Sequence, residues 1–385
     1  MLKAESTWSP NQLIAILLIV GAAVFTPAAW GASKQYFVYF GTYTGPKSKG
    51  IYVARFDAGT GKLGPLNVAA EIASPSFVAV HPSGRFLYAV SEERSGSVSA
   101  FSIDRSSGTL TFLNRVSTHG NGPCYVTTDK TGKTALVANY GSGVFASMPI
   151  GADGKLGEAV SVIQDKGKGS DPNRQEGPHA HSLNPSPNNL YAIGADLGLD
   201  KLFVFKLNAA AASLTANDPP YAEVKPDSGP RHFAFHPKGR FAYVTNEMAS
   251  TVTAFTWDGA RGVLHEIQTI TTLPPDFKGE NTTAQILVHP SGRFLYDSNR
   301  GADSIAVFRI DPRKGTLTAI DNTPTLGKVP RNFAIDPTGS YLIAANQKSD
   351  NIVVFRIDKN TGKLTATGDT AEVGGPVCVK FLAVK

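Results

Sequence analysis

The sequence is short of the residues that most often announce a chemistry. In 385 residues there are 2 cysteines, 3 tryptophans and 3 methionines, and only 18% of side chains are charged. Cys124 and Cys378 match no zinc-ligand spacing, which argues against a structural metal and for two free, buried thiols. The formal net charge is +6, but no cluster of Lys and Arg is present to follow a nucleic-acid backbone, so a nucleic-acid partner is not expected. No G-x-S-x-G elbow and no Walker loop occurs, which removes the common serine-hydrolase and nucleotide signatures. Low-complexity tracts and long runs of like charge are missing as well.

The single long apolar run, LIAILLIVGAAVF at 13–25, falls short of the roughly 20 residues that span a bilayer. Lys3 precedes it and the small residues of AAWGAS follow it, the layout of a secretory signal cleaved after Gly31. The expected organisation is a signal peptide at 1–31 and a mature domain at 32–385, periplasmic or secreted, monomeric, with no membrane association beyond the signal.

What the chain has in quantity is glycine (38), proline (25) and hydrophobic residues (42%), which suits a large core with many tight turns. It also repeats. HPSGRFLYAVSEERSGSVSAFSIDRSSGTLTFL from His81, HPKGRFAYVTNEMASTVTAFTWDGARGVLHEI from His236, HPSGRFLYDSNRGADSIAVFRIDPRKGTLTAI from His289 and DPTGSYLIAANQKSDNIVVFRIDKNTGKLTAT from Asp336 are copies of one unit. Weaker copies begin at Asp129 and Asn184, and a seventh opens the mature chain at Tyr36. Tyr39, Tyr88, Leu136, Tyr191, Tyr243, Tyr296 and Ile343 mark equivalent positions, at steps of 49, 48, 55, 52, 53 and 47 residues.

Each unit alternates apolar and polar residues in four short segments, with Val, Phe and Tyr enriched, separated by x-P-x-G turns. Seven such units predict an all-β, seven-bladed β-propeller of four antiparallel strands per blade. The C-terminal GGPVCVKFLAV matches the first strand that the N-terminal unit lacks, so strands from both termini should close the ring and hide its free edges. Trp-Asp and Gly-Gly each occur once, which excludes propeller types marked by those pairs in every blade.

In a propeller the first strand of each blade lines the central channel, and ligands gather at its mouth. Counted back from the x-P turns, His179 aligns with Ser76, Cys124, Arg231, Ala284 and Arg331, and His181 with Val78, Val126, Phe233, Ile286 and Phe333. This register sends His179 to the mouth and His181 half into the wall. After the second strand a further ring carries Tyr43, Glu92, Tyr140, Glu247, Arg300 and Gln347, with Asp196 in the fourth unit; Glu92 and Gln347 read as turn caps. His179, Arg231, Glu247 and Arg300 should share one pocket. The H-A-H pair could chelate a metal only with a third ligand, such as His119 or Asp196, and no metal is expected. His81, His236 and His289 open x-P-x-G turns and read as turn formers, and His232 falls on the strand face opposite Arg231.

RQEGPHAHS, ADLGLDKLFVF, GPRHFAFHPKGRFAYVTNE, LYDSNRGADSIAVF and VPRNFAIDPTG…AANQ together resemble the seven-bladed propeller lactonases, the bacterial 6-phosphogluconolactonases related to fungal carboxymuconate cyclases. The resemblance implies the propeller and chemistry on a lactone ring. It implies a His, two Arg and a Glu as acid/base and anion-binding groups: His179 or His181, Arg231, Arg300 and Glu247. Two departures stand out: Ala284-Gln285-Ile286-Leu287 where the family often reads A-E-I-H, and NYGSGVFASMPI in place of NYxxGSVxVFPI.

The expected function is a 6-phosphogluconolactonase-like lactone hydrolase that opens a sugar lactone by water attack at the channel mouth. His179 or His181 activates the water, with Glu247 as orienter or alternative base. Arg231 and Arg300 hold the oxyanion and the substrate's acidic group, and Asp196, Tyr140 and Arg331 complete the binding set. The partner is a small lactone or organic acid, and no cofactor is required. The alternatives are cyclisation of an unsaturated dicarboxylate by the same groups, and an exported binding platform without turnover.

Overall fold

The computed structural model describes residues 35–384, so the signal segment expected at 1–31 lies outside the described residues. Seven antiparallel sheets follow one another, six of four strands and one of five. The fifth blade shows how the sequence builds them. Pro230–Phe235 forms the inner strand, and Phe241–Asn246, Thr251–Asp258 and Val263–Thr271 follow outwards in order. The second strand, FAYVTN, is buried throughout, while the outermost, VLHEIQTIT, alternates between buried and exposed positions because one of its faces meets water. In the first blade the C-terminal strand Pro376–Ala383 pairs with Gln35–Thr42, so the ring is closed by both ends of the chain.

The repeated aromatics hold blade to blade. Buried Tyr39, Tyr88, Tyr243 and Tyr296 each donate a hydroxyl hydrogen bond to a glycine carbonyl in the outer hairpin of the next blade, at 2.8–3.1 Å. Those glycines have two reasons to be glycine. Gly315 has φ 75°, and a Cβ there would lie 2.3 Å from the Phe241 ring. At the far end of the channel His81, His236 and His289 do form turns, and each also donates through Nε2 to a glycine carbonyl of the following blade's turn.

One register differs from the sequence reading. The fourth-blade turn is Ser186-Pro187-Asn188-Asn189, not the Asn184-Pro185 that starts the same N-P-S-P run. The Ser186 N–H bonds to the Tyr191 carbonyl as His236 does to Phe241, and Asn189, at φ 61°, stands where the other turns use glycine. Two prolines in alternation made either turn plausible from sequence, and the later one is used. The equivalent of Tyr243 is therefore Ile193, not Tyr191, and every inner-strand comparison for that blade moves by two residues.

A bulge recurs where inner strands enter the sheet. It leaves Cys124, His181 and Arg331 without a partner across the ladder, and in the fifth blade both Arg231 and His232. A bulge re-aims a side chain, and here it aims these residues at the channel. Cys124 and Cys378 are buried and unpaired, as expected.

Candidate active site

Two rings of side chains form the mouth. The inner ring is made of bulge residues. With the corrected register, His181, not His179, is the sibling of Cys124, Arg231 and Arg331, so His181 does not occupy the apolar wall position expected of it. His179 lies two residues earlier, at the end of the connection that leads into the blade. The outer ring follows the second strands. Glu92, Tyr140, Leu197, Glu247, Arg300 and Gln347 each bond through their backbone N–H to the connection entering the same blade, and Leu197 bonds in this way to the His179 carbonyl.

Glu247 is the centre. Its Oε1 lies 2.6 Å from Arg174 Nη2, and its Oε2 lies 2.8 Å from Arg231 Nε and 2.9 Å from Arg300 Nη2. Burial alone would raise the pKa of this carboxyl; Arg300, Arg231 and Arg174 overcome that and bring it down to about 2. Such a carboxylate holds cations in place and is a poor proton acceptor. Arg231 is 2% exposed and donates to the Ala284 carbonyl at 2.6 Å. Burial and the neighbouring Arg331 and Arg300 press its pKa down while Glu247 opposes them, and a guanidinium stays charged at neutral pH regardless. Arg300 donates to the Thr283 carbonyl at 2.9 Å.

The histidines differ sharply. His179 stacks on the Tyr140 ring, with centroids 4.5 Å apart and planes at 15°. Its Nδ1 lies 3.0 Å from the Tyr140 carbonyl, which can only accept, so Nδ1 carries a proton and, in the neutral tautomer, the lone pair is on Nε2. Glu176 Oε1 is 3.4 Å from that Nε2, placed to stabilise the ring once it is protonated. His181 is buried against Cys124, with Sγ 3.5 Å from Nδ1, and makes edge contacts with Tyr140 and His232. Burial, then Arg231 and Arg331, hold its pKa well below the usual histidine range, so it is neutral. The Cys124 thiol is pushed up by burial, so this pair is not a thiolate nucleophile.

Tyr140 joins the halves of the site, since its hydroxyl lies beside Arg174 while its ring carries His179. Arg331 donates to the Tyr43 hydroxyl at 3.1 Å, which donates to Glu92 at 2.9 Å. Glu92 is thus part of the channel network, not only a turn cap. A small cavity of ≈ 10 Å³ lies between Glu92, Cys124, Arg231, His232 and Arg331. Above it a mouth cavity of ≈ 740 Å³ opens between Arg174, Arg300, Asp171, Asp227, Met248 and Glu280. No cluster of three or more metal-ligating side chains occurs among the described residues.

Asp196 sits elsewhere than expected. Its siblings are Asn139, Asn246, Asn299 and Asn346, which donate to groups of their own hairpin (Asn139, Asn246) or of the connection entering their blade (Asn299, Asn346). It is fully buried, and its Oδ1 accepts the N–H groups of His179 and Leu199 at 2.9 and 3.1 Å. It positions His179 from behind. Buried Asp165 lies beside it, and neither Asp165 Oδ2 nor Asp196 Oδ2 has another hydrogen-bond partner. Burial and Asp196 raise the Asp165 pKa to about 9, and burial raises that of Asp196 too, so the pair keeps a proton at neutral pH. A carboxyl with a raised native pKa stabilises fully below its unfolded pKa, and that stability is lost as pH rises through the native value. Asp165→Asn keeps an N–H donor without a charge to form. Its urea midpoint should fall less than that of the wild type between pH 5 and pH 8.5, a relative gain of at least about 1 kcal/mol. Parallel curves for the two proteins would contradict the shared proton.

Four participants were not anticipated. Arg174 and Glu176 arrive on the connection 165–179, fifteen residues where the other inter-blade connections have three to eleven. Gln175 pins it: its amide donates to the Leu197 carbonyl and accepts from the N–H groups of Ser170 and Asp171. The length of this connection and the Arg inside RQEGPHAHS were the available signals. His232 was placed on the face opposite Arg231, yet the bulge brings its Nε2 to 3.4 Å from Arg231 Nη1. Its Nδ1 donates to Gln285, the residue that replaces a glutamate at the A-E-I-H departure. The link from Tyr43 to Glu92 was the fourth.

A seven-bladed propeller whose mouth gathers arginines around one buried carboxylate, beside a histidine whose Nδ1 is committed to a backbone carbonyl, is a scaffold for oxyanion binding and proton transfer. The chain belongs to the family described as "Lactonase, 7-bladed beta-propeller", whose profile matches residues 37–381. Among its relatives, the 6-phosphogluconolactonase of Bacillus subtilis strain 168 is 39% identical over 349 residues, 90% of this chain and 99% of that one. The solved periplasmic gluconolactonase of Pseudomonas aeruginosa superposes with a TM-score of 0.86 at 34% identity, covering 91% of this chain and 100% of that one. A Bacteroides fragilis structure described as a candidate 6-phosphogluconolactonase gives a TM-score of 0.85 at 40% identity, covering 91% and 98%.

Proposed function

We propose that the protein hydrolyses a sugar lactone at the propeller mouth, after export. The observation that carries the reading is the Glu247–arginine cluster beside His179, whose proton is fixed on Nδ1. The names of the Bacillus and Pseudomonas relatives support a sugar lactone as substrate, and the second of these is periplasmic. In this mechanism His179 Nε2 takes a proton from water as the oxygen adds to the lactone carbonyl. The oxyanion develops beside Arg300 and Arg174, which Glu247 keeps in place without reorganisation. The tetrahedral intermediate collapses, the carbon–ring oxygen bond breaks, and His179 returns its proton to the leaving oxygen as a hydroxyl. Glu176 stabilises the imidazolium between those steps. Glu247 is an organiser, not the base. Arg231 and Arg331 supply fixed positive charge beneath the reacting carbon, and His181 forms a neutral wall.

The test is to give the purified protein an aldonolactone, its phosphorylated analogue and a carboxy-substituted unsaturated dicarboxylate, and to identify products by NMR. The open-chain acid should form faster than it does spontaneously from at least one lactone. Lactone formation from the dicarboxylate would favour the cyclase reading instead, and no product from folded protein would favour a binding platform.

A further inference from the structure

We infer that the mouth is built for an uncharged polyhydroxy lactone and discriminates against a phosphorylated one. The inference rests on the lactonase reading and concerns the charge lining the larger cavity. Its walls carry three carboxylates, Asp171, Asp227 and Glu280, against two guanidinia, Arg174 and Arg300, so the lining is negative by one charge. The guanidinia are also engaged. Arg300 is held by the Thr283 carbonyl and Glu247, Arg231 by the Ala284 carbonyl and Glu247, and Arg331 by Tyr43. Arg174, with 37% of its side chain exposed, is the most accessible of the three on Glu247, and it is bonded to Glu247 Oε1 at 2.6 Å.

A phosphate at the mouth would have to share Arg174 with Glu247, and any loosening of that pair leaves a carboxylate with 7% of its side chain exposed less well compensated. The carboxylates that line the same cavity would also repel it, an interaction that salt screens over about 8 Å at physiological ionic strength. A neutral lactone meets neither obstacle, because its carbonyl needs only an N–H donor and its hydroxyls carry no charge. The same rim acts on the product: ring opening creates a carboxylate inside a negatively lined cavity, which favours its release.

The experiment compares kcat/KM for glucono-1,5-lactone and its 6-phosphate, each corrected for spontaneous opening, at low salt and in 0.5 M NaCl. Wild type, Glu280→Gln and Glu280→Lys are measured; Glu280 is exposed at the rim, so its charge can be changed in steps. The neutral lactone is expected to be preferred at least about tenfold at low salt, with the preference shrinking in NaCl. Each unit of charge added at position 280 should raise the phosphorylated-to-neutral ratio by about two- to threefold. Equal use of both lactones, preference for the phosphate, or a ratio indifferent to salt and to position 280 would overturn the inference while leaving the lactonase reading intact. Turnover of neither lactone by folded protein would overturn both.

Discussion

A Glu247→Gln protein is expected to unfold about 4–7 °C below the wild type at pH 7 and to lose most of its lactone turnover. The glutamine keeps the shape but removes the only carboxylate that Arg174, Arg231 and Arg300 share. Removing one partner of a buried ion pair costs about 3–5 kcal/mol, because the charges left behind stay desolvated. The pH dependence gives a second check. The folded pKa of Glu247 is about 2, and its ordinary value is 4.5. A depressed carboxylate contributes fully above its unfolded pKa, and the contribution fades as pH falls from there through the folded value. The difference corresponds to about 3 kcal/mol, similar to the mutational cost. Wild type should therefore lose stability between pH 5 and pH 2 more steeply than Glu247→Gln. A variant as stable as wild type at pH 7, with an unchanged acid limb, would mean that the cluster is not held together by this carboxylate.

The second large effect belongs to His179. His179→Gln should lower kcat about 10²- to 10³-fold, the usual scale for loss of a general base, with KM and the thermal midpoint little changed. The side chain is 13% exposed, and its partners are the Tyr140 ring, the Tyr140 carbonyl and Glu176 rather than the hydrophobic core. His181→Gln should behave in the opposite way. That ring is fully enclosed by Tyr140, His232 and Cys124, so its replacement should reduce stability at least as much as turnover. A His179→Gln protein with wild-type kcat, beside an inactive but well-folded His181→Gln, would reverse the assignment of the two histidines.

Much of the fold could be read from the chain because each blade restates the same local rules. Tyr39, Tyr88, Tyr243 and Tyr296 marked equivalent strands correctly, since each fills the same buried slot and bonds the same hairpin. The closing strand was legible for the same reason: GGPVCVKFLAV looked like one strand of a known unit. What failed was register, and only in the fourth blade, where N-P-S-P offers two turns and hydrophobic alternation cannot distinguish a shift of two residues. That shift put His179 in the channel position that His181 holds and misplaced Asp196. Bulges were a second blind spot. They put Arg231 and His232 side by side although adjacent strand residues ordinarily face opposite ways. Arg174 was hidden for a third reason: it comes from the one long connection that has no counterpart in the other blades. Arg231, Arg300 and Glu247 were singled out correctly as neighbours because they sit on strand ends, whose geometry the repeat dictates.

In the proposed function this mouth opens a lactone with His179 as the proton acceptor. The most direct measurement is acid release from glucono-1,5-lactone at pH 7 by wild type and by His179→Gln, with spontaneous opening subtracted. A catalysed rate proportional to wild-type concentration is expected, falling at least about a hundredfold in a variant that remains folded. An equal catalysed rate from both proteins would contradict it.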